Sequence, residues 1–286
     1  MTLTVELRPL GPFSLRTSAR MAGDATRRFA EGRLETVLRV EGRVERALAW
    51  QRPDGTVVVR AESEAGVDAL RFQLALDDDH SDFCERFRDD PLLREPLRRL
   101  RGLRPLRLGT VAQSLLRAVA GQLITAREAR QIERRVIRAV APRDPATGLH
   151  VAPTSAELGA LSPARLRSLG LGTRRGSALV RVCRSGELDR WRGAPTAAVV
   201  QRICREAGLG PWSAGVVALE GLGRYEHGLV GDLGFVKLCS ALWGRPVDGA
   251  ETAALLAPYG EWQGLASVYL LAGRAFVPLP PAVRAA

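Results

Sequence analysis

Residues 199–222 read "VVQRICREAGLGPWSAGVVALEGL", which is a helical run, a short glycine turn and a second helical run. Gly208 and Gly210 permit a tight turn with positive φ, and Pro211 fits the first turn of the following helix. Such a turn presents free backbone amides at a helix N-terminus, where they attract phosphate without reading base sequence. The segment therefore predicts a phosphate-binding helix–hairpin–helix, for which an ordinary αα-hairpin is the alternative.

A single carboxylate, Asp232, follows this hairpin after the loop "GLGRYEHGLVG" (221–231). The apolar run after it, "LGFVKLCSALW" (233–243), predicts a helix with Asp232 as its N-cap. A carboxylate at a helix N-terminus is stabilised in its ionised form, and an ionised carboxylate stabilises a developing oxocarbenium ion. Asp232 is thus a candidate catalytic residue as well as a helix cap.

The composition is that of an ordinary globular protein, since 46% of the 286 residues are hydrophobic and 26% are charged. A chain of this length predicts two or three compact units. It has no uninterrupted apolar run of about 18 residues, and its start, "MTLTVELRPL", lacks the basic and apolar regions of a signal peptide. We expect no membrane association and a cytoplasmic location, at the nucleoid in a bacterium.

The net charge of +11 predicts attraction to polyanions, and to nucleic acid first. Lys237 is the only lysine among the 42 basic residues, so arginine carries almost all of the positive charge. A codon bias that spreads arginine over a solvated surface would give the same composition.

The cysteines and histidines show no spacing typical of a zinc site, an iron–sulfur cluster or a disulfide framework. They are Cys84, Cys183, Cys204, Cys239, His80, His150 and His227. We expect buried, reduced thiols and no cofactor.

Residues 1–90 predict an N-terminal α+β domain. The apolar runs "VLRV" (37–40), "TVVVRA" (56–61) and "FQLAL" (72–76) are typical of strands.

Residues 91–286 predict a helical domain, with the helix–hairpin–helix at about 196–221, because apolar residues recur there at spacings of three and four. Helix starts are predicted at Thr125 with Glu128, at Thr154 with Glu157, and at Ser162 before Pro163. The first of these places Gln122 and Leu123 at a junction between two helices.

Four stretches in this order resemble the helix–hairpin–helix (HhH-GPD) DNA glycosylase superfamily. They are "LLRAVAGQLITAREA" (115–129), "GLGPWSAGVVALEGL" (208–222), "GDLGFVK" (231–237) and "PYGEWQGLASVYLLAG" (258–273). The similarity covers roughly residues 75–275 and is greatest to the alkylpurine branch, DNA-3-methyladenine glycosylase II. It implies a mostly α fold with an N-terminal α+β domain and two helical subdomains that flank a DNA-binding cleft.

The resemblance also implies an activity. The protein would act as a monomer on double-stranded DNA, as a monofunctional N-glycosylase that flips out and hydrolytically excises alkylated purines of the 3-methyladenine and 7-methylguanine type in base excision repair. Bifunctional relatives form a Schiff base with a hairpin lysine, and this chain has Trp212 at that position, so strand cleavage is not expected. The alternatives are a glycosylase for oxidised or deaminated purines and a catalytically inactive, damage-binding helix–hairpin–helix protein.

Individual roles follow from the same resemblance. Asp232 takes the place of the catalytic aspartate, while Gln122 and Leu123 match the residues that fill the gap left by the extracted nucleotide, with Leu123 as the wedge. The phosphate-binding hairpin corresponds to Gly208, Leu209, Gly210, Trp212 and Ser213, and the substrate pocket to Trp212, Trp262 and Val216. Family members also hold a monovalent cation, sodium or potassium, on backbone carbonyls of the hairpin, which correspond to Cys204, Glu206 and Leu209.

Three positions depart from the family pattern. Gly231 stands where proline is common, Val216 where this branch often has tyrosine, and Gln263 where arginine is usual. These changes predict a wider or less aromatic pocket.

Overall fold

The computed structural model describes residues 2–20 and 22–278. Its N-terminal part is an antiparallel five-stranded sheet with the strand order β1-β5-β4-β3-β2. The strands are β1 (Leu3–Leu7), β2 (Arg27–Ala30), β3 (Arg33–Val40), β4 (Arg43–Gln51) and β5 (Val57–Ala61), and the short helix α1 (Leu15–Ala19) lies between β1 and β2. Two-residue turns, Glu31–Gly32 and Glu41–Gly42, join β2 to β3 and β3 to β4. All four turn residues have positive φ, as in a type I′ hairpin.

Helix α2 (Glu64–Gln73) packs on the sheet. It begins after Ser63, whose side chain accepts a hydrogen bond from the Gly66 amide, and its apolar side chains join the core of the sheet. The prediction of a strand at "FQLAL" (72–76) is wrong. The first two of these residues complete α2, and Ala75 turns the chain with a φ of 54°. Apolar residues spaced by three and four before this stretch favour the helix over the short alternation.

The rest of the described chain is mainly helical. The helices are α3 (Ser81–Arg86), α4 (Arg94–Arg99), α5 (Val111–Gly121), α6 (Ala126–Val140), α7 (Ser155–Gly159), α8 (Pro163–Ser168), α9 (Thr173–Arg184), α10 (Thr196–Arg205), α11 (Pro211–Val216), α12 (Leu233–Trp243), α13 (Thr252–Leu256) and α14 (Gln263–Ala272). A π-helical turn (Val217–Leu222) continues α11, and 3₁₀ turns lie at Leu188–Gly193, Ala257–Trp262 and Arg274–Phe276. Among the helices of the described residues, none combines the length and the apolar character needed to cross a bilayer.

The three predicted helix starts are confirmed. Thr125 and Thr154 form reciprocal capping boxes with Glu128 and Glu157, and the Ser162 side chain caps α8. The junction between α5 and α6 therefore lies where the sequence placed it.

Two hydrophobic cores divide the helices. The first helical core gathers α5 to α11, and the second combines α3 and α4 with α12 to α14. Leu229, in the loop before α12, packs against both cores. The predicted mostly α fold with an N-terminal α+β part and two helical subdomains is thereby confirmed. The domain boundary at residue 90 stays a prediction.

A buried charge cluster joins α5 to three other segments of the chain. The Arg117 guanidinium donates to Asp24 (2.7 Å), to Glu133 (2.9 Å) and to Glu220. Burial alone would lower the pKa of Arg117, but Glu133, Glu220 and Asp24 outweigh it and raise that pKa well above its ordinary value. For Asp24 burial acts in the raising direction, and Arg27 and Arg117 outweigh it, so that the pKa of Asp24 is lowered. Arg117 thus ties α5 to the segment before β2, to α6 and to the continuation of α11.

Candidate functional site

The predicted helix–hairpin–helix is formed by α10 and α11 with a turn at residues 206–210. Gly208 has a φ of 93°, a conformation that favours glycine, and the Leu209 amide donates to the Glu206 carbonyl at 3.0 Å. The Leu209 side chain is buried in the first helical core, which fixes the turn. The first amides of α11 have no acceptor within the helix, as at any helix N-terminus, so they are available to a phosphate.

The junction between α5 and α6 lies beside this turn. The Gln122 side-chain amide donates to the Gly208 carbonyl (2.8 Å) and to the Ser213 hydroxyl (3.1 Å), and Arg175 donates to the Gln122 carbonyl (3.0 Å). The Leu123 side chain is 85% exposed, and its backbone has a φ of 58°. This left-handed conformation costs about 1–2 kcal/mol in a residue other than glycine. The surrounding structure therefore holds an apolar side chain out in solvent, next to the predicted phosphate site.

Asp232 is the N-cap of α12, as predicted. Its Oδ1 accepts a hydrogen bond from the Gly234 amide at 2.7 Å. Its Oδ2 accepts one from the indole Nε1–H of Trp212 at 2.9 Å. The carboxylate is half-buried and is held at both oxygens, so its orientation relative to the hairpin is fixed.

The departure at Gly231 has a structural reason. Gly231 has a φ of 87°, and its amide donates to the Thr252 hydroxyl at 2.8 Å. Proline can supply neither that φ nor an N–H. The loop before Asp232 therefore follows a path that requires a residue other than proline.

The predicted pocket residues border different cores. Val216 is buried in the first helical core, and Trp212 packs against it with a half-buried side chain. Trp262 packs against the second helical core, within 5.7 Å of Phe83 and 6.2 Å of Tyr225 between ring centroids. The structure brings Trp212 to Asp232 and places Trp262 in this other aromatic cluster. Their roles in binding a base stay predictions.

Sequence reasoning missed His80, which lies in the aromatic cluster around Trp262. Its ring meets Tyr225 edge-on at 4.9 Å between centroids. Burial, followed by the nearby Arg104, lowers the pKa of His80 to about 4, so the imidazole is neutral at pH 7. Within residues 2–20 and 22–278, both of its ring nitrogens and the Trp262 Nε1 are buried without a hydrogen-bond partner. A lone histidine in "DDDH" (77–80) carries no motif, so nothing in the sequence pointed to this cluster.

The cysteines are free thiols in the described structure, as expected. Cys183 and Cys239 are buried and Cys84 is half-buried, but Cys204 is exposed on α10, so the prediction of burial is wrong for Cys204. Exposure follows from its place on the outer face of an amphipathic helix whose buried residues are Thr196, Val199 and Ile203. Among the described residues, no group of three or more acidic, histidine or cysteine side chains is arranged to hold a metal ion. The cation on the backbone carbonyls of Cys204, Glu206 and Leu209 stays a prediction.

Comparison with known proteins finds relatives of this fold, although no family model matches the chain. The DNA-3-methyladenine glycosylase of Bacillus subtilis (strain 168) is 26% identical over 204 residues, which cover 68% of this chain and 67% of that protein. Among solved structures, the 3-methyladenine DNA glycosylase of Archaeoglobus fulgidus has a TM-score of 0.78 at 19% identity, over 96% of this chain and 98% of that chain. The 8-oxoguanine glycosylase/lyase of Clostridium acetobutylicum has a TM-score of 0.76 at 17% identity, over 94% and 95% of the two chains. These relatives confirm the resemblance to the helix–hairpin–helix DNA glycosylases, whose fold this chain shares.

Proposed function

We propose that the protein is a DNA N-glycosylase that hydrolyses the bond between deoxyribose and an alkylated purine in double-stranded DNA. The observation that carries this proposal is the convergence of three groups on one hairpin. Gln122 joins the exposed Leu123 to the turn, and Trp212 joins the turn to Asp232. A phosphate site, an apolar side chain able to fill a gap in the duplex and a carboxylate are the groups that base excision needs.

The reaction begins with extraction of the base, which costs a few kcal/mol of unstacking and unpairing. The positive charge of the protein and the hairpin amides bind the phosphates, and Leu123 takes the space of the extracted nucleotide. The bond from C1′ to the purine nitrogen then breaks, with both electrons leaving on the purine. Asp232 stabilises the positive charge that develops on the sugar. Water adds to C1′, loses a proton and leaves an abasic site.

The chemistry of the leaving group supports an alkylated purine. Alkylation at N3 or N7 makes the purine cationic, so it departs without a general acid and one carboxylate suffices. An indole face also favours a cation. The name of the Bacillus relative supports the same substrate class, and that of the Clostridium relative makes an oxidised purine the alternative.

The identity of the hairpin residue supports a monofunctional enzyme. According to the resemblance, bifunctional relatives form a Schiff base with a lysine amine in the hairpin. In this chain the position of that lysine holds Trp212, whose indole N–H donates a hydrogen bond to Asp232. The single lysine, Lys237, is exposed on α12. Base release without strand cleavage is the expected outcome.

The test uses duplexes that each contain one 7-methylguanine, hypoxanthine or 8-oxoguanine, together with an undamaged duplex. We expect base release from the 7-methylguanine duplex, strand breaks only after alkali, and no covalent adduct after borohydride treatment. A borohydride-trapped adduct in good yield would contradict the monofunctional assignment. Excision of 8-oxoguanine alone would favour the oxidised-purine alternative, and lesion binding without any base release would favour a damage-binding protein.

A further inference from the structure

Trp212 contacts both the candidate catalytic carboxylate and the helix that carries the wedge. One edge of its indole donates the Nε1–H hydrogen bond to Oδ2 of Asp232 at 2.9 Å. The tip of its six-membered ring lies against Gly121, the last residue of α5, where a Cβ would approach the indole Cη2 to 2.7 Å. The indole therefore fills the space between the end of α5 and the start of α12.

The contacts of the indole fix its direction. The ring is half-buried against the first helical core and has only two side-chain torsions, so it cannot turn without moving a neighbour. A hydrogen bond to an ionised carboxylate is charge-assisted and stronger than a neutral one. Because the Gly234 amide already holds the other carboxylate oxygen, the indole sets the remaining freedom of Asp232.

We propose that Trp212 is a positioning residue that aligns Asp232. Through Trp212, this alignment depends on the position of the end of α5, next to Leu123. This inference rests on the proposed function, because the alignment matters only if Asp232 takes part in excision. A displaced α5 end would move the indole, and the indole would move the carboxylate, so an α5 end that keeps its place holds the carboxylate in line. One side chain thereby links the position of the α5 end, next to the wedge, to the alignment of the carboxylate.

A double-mutant cycle tests the link between Trp212 and Asp232. Trp212→Phe keeps an aromatic ring and removes the donor, and we expect single-turnover excision of 7-methylguanine to fall about ten- to a hundredfold. In an Asp232→Asn background the same substitution should change residual excision by less than about threefold, because its effect passes through the carboxylate. Affinity for a duplex with an abasic-site analogue should stay within about threefold in both backgrounds.

Two further variants separate the hydrogen bond from the packing. Benzothienylalanine at position 212 keeps the shape of the indole and replaces its N–H by sulfur, so it should slow excision as Trp212→Phe does. Gly121→Ala should slow excision by displacing the indole, and it should add little to Trp212→Phe, whose smaller ring leaves room for the new methyl group. If the Asp232→Asn protein releases base only at the spontaneous rate, the double-mutant cycle is uninformative, and these two variants decide whether Trp212 positions the carboxylate.

Trp191→Phe is the matched control, because Trp191 packs against the same helical core and stacks on the Arg202 guanidinium instead. Its excision rate should equal that of the wild type. Equal losses from Trp212→Phe in both backgrounds, or a benzothienylalanine protein as fast as the wild type, would overturn the positioning role and leave the proposed function intact. A wild-type protein that releases no base from any duplex would instead overturn the proposed function.

Discussion

Replacing Asp232 with asparagine separates its two roles, because asparagine is also a good helix cap. The carboxylate accepts hydrogen bonds from the Gly234 amide (2.7 Å) and from the Trp212 indole (2.9 Å) through different oxygens. Asparagine has one side-chain oxygen, so one of these N–H groups would face the NH₂ group. The variant therefore loses one of two hydrogen bonds, about 1 kcal/mol. For a chain of this size that lowers Tm by roughly 2 °C.

The effect on excision should be far larger than the effect on stability. An electrostatic contribution of about 3–4 kcal/mol to the transition state corresponds to a loss of a few hundredfold in rate. The loss should depend on the leaving group, since cationic 7-methylguanine departs with little help and neutral hypoxanthine needs more. Single-turnover excision of both bases, with affinity for the lesion duplex measured separately, gives the comparison.

Asp248→Asn is the matched control for this prediction. Asp248 is exposed and accepts a hydrogen bond from the Glu251 amide at 2.9 Å, so it is also a carboxylate that caps a turn. Its substitution should leave excision at the wild-type rate. If the Asp232→Asn protein excised 7-methylguanine within about threefold of wild type, roughly 0.7 kcal/mol, the catalytic interpretation of Asp232 would be refuted.

Three more substitutions test other features of the molecule. Leu123→Ala should slow lesion excision about tenfold, because the gap left by the base is no longer filled. Fluorescence anisotropy should show unchanged affinity for undamaged duplex. Equal losses in the two assays would exclude the wedge role of Leu123. Gly231→Pro should lower the free energy of unfolding by about 3 kcal/mol or more, because proline cannot reach a φ of 87° or donate to Thr252. Urea denaturation measures this, and a proline variant as stable as wild type would contradict the loop conformation. His80→Leu tests the buried imidazole: burial lowers its pKa from 6.5 to about 4, so between these values the unfolded chain binds a proton that the folded chain does not. Wild-type stability should therefore fall by up to about 3 kcal/mol as the pH drops through this window, the leucine variant should lose less, and identical pH profiles would contradict the assignment.

The features that the sequence predicted correctly are local. A cap such as Asp232, a capping box such as Thr125 with Glu128, and the glycine turn at Gly208 each depend on residues at most four positions apart. The junction position of Leu123 follows from the same kind of evidence, since it lies between a helix end and a capping box, whereas its exposure is seen only in the structure. The order of these features along the chain carried the resemblance, and the resemblance supplied their expected roles.

The features that the sequence could not predict depend on contacts between distant segments. The bond between Trp212 and Asp232 joins two elements across a loop, and no spacing rule predicts which edge of an indole faces a carboxylate. The placement of Gln122 on the hairpin, and of His80 at right angles to Trp262, likewise requires the packing of separate helices. The failure at residues 72–76 arose because a short apolar alternation carries less information than the amphipathic helix that runs into it.

If Leu123 acts as a wedge, the rigidity of α5 determines whether the protein or the DNA deforms when Leu123 meets a base pair. Residues 111–120 of α5 are buried, and Arg117 binds carboxylates from three other segments of the chain. Breaking one partner of such a buried charge cluster costs about 3–5 kcal/mol, and shifting α5 would disturb three. Bending a short duplex by 40–90° costs on the order of 1–6 kcal/mol, and phosphate contacts offset that cost. The cheaper deformation is therefore that of the DNA, and we expect that, if Leu123 is the wedge, it enters the duplex while α5 keeps its place against Trp212.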